Sequence, residues 1–126
     1  MRHLFLLLII FIEAACGTVT DEIPGLQKKP LSDTVAALLN VVDDGINYMP
    51  FQSKTTEHPV NSPNEAWEAL QQLYPQYKDR ITCWLEYHNF FVFSINFNDP
   101  ATDCRFWHIL YVKKGGTEFR YFWPAT

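Results

Sequence analysis

Basic residues are scarce in this chain of 126 residues: ten Lys and Arg stand against fourteen Asp and Glu, a formal net charge of −4. With no basic stripe to displace counterions from phosphates, the composition argues against nucleic acid as a partner. Long apolar runs are missing too. The uninterrupted run Leu4 to Ile12 is too short to cross a bilayer as a helix, which needs about 20 residues. Glycine is limited to five positions, and they form neither a phosphate-cradling loop nor the elbow that presents a hydrolase serine. His58 and His88 have no companions at ligand spacing, so no metal or cofactor is expected. Asp43-Asp44 and Asp99 with Asp103 are carboxylate pairs by sequence only, and turn or capping roles account for them. Internal repeats and low-complexity tracts are absent. Aromatic residues, by contrast, are plentiful, at 16% of the chain, and most of them follow Trp84.

The N-terminus carries an address. A short basic head (Arg2 with His3), the apolar run, then Ala14, Ala15, Cys16 and Gly17 have the layout of a secretory signal peptide. Ala14-Ala15-Cys16-Gly17 resembles the lipobox of bacterial lipoproteins, in which the cysteine becomes the acylated first residue of the mature chain. Glu13 departs from that pattern, where Leu, Val or Ile is usual. Ordinary cleavage after Gly17, leaving a secreted soluble protein, is the competing end of the signal. The resemblance implies a signal peptide over 1–15 and lipid attachment at Cys16. A tether over 16–31 would then hold a single domain, 32–126, at the membrane of the cell envelope.

Two helices are legible. Ser32-Asp33-Thr34 opens the first, over about 33–43, with Val35, Leu38, Leu39 and Val42 on one face and Gly45 where a terminal glycine cap is expected. Ile46 to Val60 holds two prolines and no clear period, which reads as an extended connection with room for a short strand near Tyr48. Ser62-Pro63-Asn64-Glu65 is a capping box that starts the second helix, Ala66, Ala69, Leu70 and Leu73 form its buried stripe, and Pro75 stops it.

From Ile81 the period becomes two, and four strands follow at about 81–87, 90–97, 104–112 and 117–123. A turn at Gly115-Gly116 sets Val112 opposite Phe119, Leu110 opposite Tyr121 and His108 opposite Trp123. A three-residue loop at 87–89 pairs Leu85 with Phe91 and Cys83 with Phe93, and Phe97 pairs with Cys104. These registers collect Ile81, Cys83, Leu85, Phe91, Phe93, Ile95, Phe97, Phe106, His108, Leu110, Val112, Phe119, Tyr121 and Trp123 on one inner face. The expected fold is α+β: two helices packed on a four-stranded antiparallel meander sheet. In outline this is similar to cystatin-like helix-then-meander folds, a likeness of topology that carries no functional motif.

The opposite face would show Trp84, Arg105, Trp107, Tyr111, Arg120 and Phe122, residue types that dominate protein interfaces. Either the first helix or the 46–60 segment folds over it, or it binds a partner. Stacking of a sugar on Trp107 or Tyr111 is a variant of the second case. An exported chain with Cys83 and Cys104 invites a disulfide. In a plain meander, however, those residues stand roughly 15 Å apart, beyond the ~7 Å that a bridge allows. Either both are buried free thiols, which the register favours, or the strand order is not that of a plain meander. His108 and Cys83 share the inner face with Phe93 between them, so His108 reads as a core histidine rather than the base of a nucleophile pair. The function these features point to is an exported, lipid-anchored, non-catalytic binding domain. An immunity or inhibitor protein is one form of it. The alternative is a small envelope enzyme using a helix–sheet pocket near His108, Tyr121 and Trp123.

Overall fold

The computed structural model describes residues 22–43, 49–98 and 104–123. The signal-like segment, Cys16, the Gly45 cap, the strand near Tyr48 and the Asp99/Asp103 pair lie outside the described residues.

The chain is an α+β structure built on a six-stranded, mostly antiparallel sheet. Helix α1 spans Asp33–Asp43 and starts as its capping signal demands: Ser32 Oγ accepts from Val35 N at 3.2 Å. Helix α2 spans Pro63–Leu73. Ser62 Oγ accepts from Glu65 N at 3.2 Å, and the Glu65 carboxylate reaches back to Asn61 N at 3.3 Å. The two serine caps satisfy amides that the first helical turns would leave open, and the Glu65 contact ties the residue before the cap to the helix. A 3-10 segment, Pro75–Arg80, then leads into the sheet.

Strands β3 (Cys83–Tyr87), β4 (Phe90–Ile95), β5 (His108–Lys113) and β6 (Glu118–Phe122) form the expected central meander. Two short strands extend it. β1 (Gln27–Lys28) adds in parallel to β3, and β2 (Lys54–Thr55) adds antiparallel to β6. The order is β1-β3-β4-β5-β6-β2, so a four-stranded sheet is too small a description. Each added strand has only two residues, both exposed; so short a piece has no period to read. β1 rises out of the expected tether through a turn at Ile23-Pro24-Gly25-Leu26. Proline and then glycine at φ +87° suit a type II turn, which Leu26 N closes on Ile23 O at 3.1 Å.

The registers divide. Val112 opposite Phe119 and Leu110 opposite Tyr121 stand as expected. The first hairpin does not: Tyr87 pairs with Phe90, so His88-Asn89 is a two-residue turn, with His88 at φ 51°. That slip of one residue inverts β3. Trp84 joins the face covered by α2, while Cys83, Leu85 and Tyr87 join the face covered by α1. Between β4 and β5 the register moves by two, with Ile95 opposite His108, which keeps the faces but shortens β5 at its start.

Both faces of the sheet are therefore buried. Ala66 and Leu70 of α2 close over Phe91, Phe93, Leu110 and Phe119. Leu39 and Val42 of α1 close over Leu85, Val92, Ile109, Tyr111 and Phe122. Tyr87 also donates its hydroxyl to Asn40 Oδ1, tying α1 to β3. Helices lie on both sides: α2 covers the inner face, and α1 folds over the opposite one, the first of the alternatives stated for that face.

The cysteines are the second correction. Cys83 and Cys104 form a disulfide with Cα atoms 6.0 Å apart. Cys104 is not in β5 but in the loop before it, so the chain is free to swing back over β3 while the meander stays intact. Phe106 goes with it: at φ 54° it leaves the expected inner face and packs beside Cys83 on the α1 side. Its amide donates to Ser94 Oγ at 3.0 Å. Non-reducing mass spectrometry should find the Cys83–Cys104 link. Replacing both by serine should lower the urea-unfolding free energy by about 3 kcal/mol, the chain-entropy value for a loop of this size.

Candidate functional site

The end of the sheet where β3 and β5 begin and β4 and β6 finish carries a cluster of rings. Ile95 faces His108 and Ile109 faces Phe122, so the residues just beyond, Phe97, Trp107 and Trp123, emerge together. Each is close to half exposed, at 49%, 47% and 43%. Phe97 meets the His108 ring edge-on at 4.9 Å, Trp123 stacks on it at 5.7 Å, and Tyr77 closes on Phe97 at 5.9 Å. Beside them opens a cleft of about 270 Å³ lined by Ser94, Asn96, Phe97, Asn98, Arg105, Trp107 and His108. Apolar walls with a few placed polar groups are what a ligand pocket needs.

The polar centre of the cluster is a pair. His108 Nδ1 lies 2.9 Å from the Tyr121 hydroxyl. Burial holds the imidazole below its usual range. Burial, with the Tyr77 hydroxyl nearby, pushes the Tyr121 phenol up to about 12. At neutral pH both groups are uncharged, and they serve each other as hydrogen-bond partners inside an aromatic shell. Cys83 lies on the other side of the sheet in its disulfide, so it is no nucleophile for His108. Among the described residues, no cluster of His, Cys, Asp and Glu could hold a metal ion. No helix there is long and apolar enough to cross a membrane.

The six residues expected to share one binding surface are split. Trp84, Tyr111 and Phe122 are core, with 0%, 1% and 1% of their surface exposed. Trp84 sits under α2 and the other two sit under α1. Arg105 and Trp107 stay accessible beside the cleft. Arg120 is half-buried along β6, 2.8 Å from Glu118 through Nε, and is not among the cleft residues. Alternation places Phe97 and Trp123 in the inner core, yet both rings are accessible. Each lies just past the end of its strand, where the sheet no longer covers it, and strand length is the signal that would have exposed them.

The chain matches no protein-family model, no curated protein and no solved structure.

Two outcomes follow. Tyr111→Ala should cost about 3–5 kcal/mol in chemical unfolding, as for a buried aromatic, while Trp107→Ala should stay within about 1 kcal/mol. A His108 pKa depressed in the folded state means that folding resists its protonation. Its contribution is intact above the unfolded value near 6.5 and is lost as pH falls through the lower folded value. Stability measured across this range should therefore drop more steeply with acid in the native chain than in His108→Phe.

Proposed function

We propose that this chain is an exported, lipid-anchored binding domain that works without catalysis, attached through Cys16 and binding with the aromatic end of its sheet. The observation that carries the reading is the trio Phe97, Trp107 and Trp123, large rings half exposed at one end of the sheet, the first two lining the cleft and Trp123 stacked on His108 at its rim. Accessible aromatic clusters of this kind mark binding surfaces, since water gains when they are covered. The Cys83–Cys104 disulfide supports export, because such links persist in oxidising compartments. It agrees with the basic head, short apolar run and small residues that precede Cys16. The enzyme alternative near His108 has less support: the imidazole is held by Tyr121 rather than by a carboxylate or beside a nucleophile. An immunity or inhibitor protein is one form of such a domain, and that form needs the aromatic end open to a protein.

Metabolic labelling with palmitate tests the anchor. The native chain should incorporate label, and Cys16→Ala should not. Unlabelled native chain released into the soluble fraction would instead mark ordinary signal cleavage.

A further inference from the structure

We infer that the aromatic end of the sheet rests on the lipid bilayer, so that the interfacial zone of the membrane is what covers Phe97, Trp107 and Trp123. The inference builds on the lipid anchor proposed above and adds the face that meets the lipid.

It follows from where the chain enters the sheet. β1 runs parallel to β3, and Gln27 N donates to Thr82 O at 2.9 Å. The start of β1 therefore lies at the same end as the start of β3. That end is shared with the finish of β4, where Asn96 N donates to Arg80 O at 2.8 Å. The turn closed by Leu26 N on Ile23 O, with Ile23 buried in the core, fixes the chain there. Only seven steps separate Ile23 from Cys16, a reach of at most about 25 Å. To turn the opposite end of the sheet to the membrane, the tether would have to run back along strands of about 20 Å and would be nearly exhausted. With the aromatic end down, no such detour is needed.

The surface agrees. Among the described residues, the exposed large apolar side chains are Leu31, Phe51, Phe97, Trp107 and Trp123. Phe51 belongs to the same end, because its 3-10 turn is held beside the finish of β6 by Met49 N donating to Tyr121 O at 3.2 Å. Four of these five side chains thus lie at the end of the sheet from which β1 starts. The far end of the sheet shows His88, Asn89, Lys113 and Lys114 to solvent instead. Tryptophan and its relatives concentrate at the membrane interface, where an apolar ring with a polar edge is best placed.

The test uses the full chain, mixed with or reconstituted into phosphatidylethanolamine–phosphatidylglycerol vesicles whose acyl chains are brominated near the headgroup. Bromine should quench the emission of Trp107 and Trp123, two of the four tryptophans, and leave that of Trp67 and Trp84. Replacing Trp107 and Trp123 by phenylalanine should abolish the quenching. In the Cys16→Ser chain, which carries no lipid, Trp107→Ala should weaken vesicle binding about tenfold. These residues are exposed, so the variants should keep the native melting profile. Intact mass reports whether Cys16 is acylated, and quenching reports separately whether the face docks. Acylated chain without quenching would overturn the docking and leave the anchor standing, with the aromatic face open to a protein. Quenching of a chain that proves unacylated would support the docking and remove the anchor.

Discussion

The central meander alternates apolar with apolar, and a sheet of that kind has no side it can leave wet. Phe91, Phe93, Leu110 and Phe119 need a cover on one face, and Leu85, Val92, Ile109, Tyr111 and Phe122 need one on the other. Each fully buried side chain of this size is worth about 1.5–3 kcal/mol, so neither face can be left to solvent. The placement of α1 and α2 on opposite sides follows from this two-sided demand. So does the short connection through Pro50–Gln52 and β2, which crosses the β6 edge rather than covering a face.

The same feature decides what could be read in the sequence. Both helices were legible because their caps are local chemistry: Ser32 and Ser62 take their amides whatever lies beyond. The β5–β6 hairpin was legible because a glycine pair marks its turn. The β3–β4 register was not, because hydrophobic alternation picks a register only when one face is polar. Here a slip of one residue exchanges Trp84 for Leu85, and both are welcome in a core. The disulfide was hidden behind the strand boundary: with Cys104 drawn as part of β5 the bridge is geometrically impossible, and with Cys104 in the loop it is natural. Of the residues expected to bind, the accessible ones are those lying outside strands, Arg105 and Trp107. Alternation placed Phe97 and Trp123 in the core because it cannot tell where a strand stops.

What makes the aromatic end more than a set of exposed rings is how the loop before β5 is held. Cys104 is bonded to β3, and Phe106 is buried under α1 with its amide on Ser94. His108 is already in the ladder, opposite Ile95. Trp107 stands between two residues whose directions are fixed, and with Phe106 buried on the α1 side it remains outside. A ring presented this way loses little freedom on being covered, so most of the apolar gain from covering it is retained as affinity. Phe97 and Trp123 are steadied by His108, the first edge-on and the second stacked, and His108 is itself held by Tyr121. The uncharged His108–Tyr121 pair therefore supports the exposed rings from below. His108, expected as a core histidine, is thus a half-buried polar link beneath an apolar surface. Its charge is disfavoured because burial strips water from the imidazole, which suits a group placed beneath apolar rings.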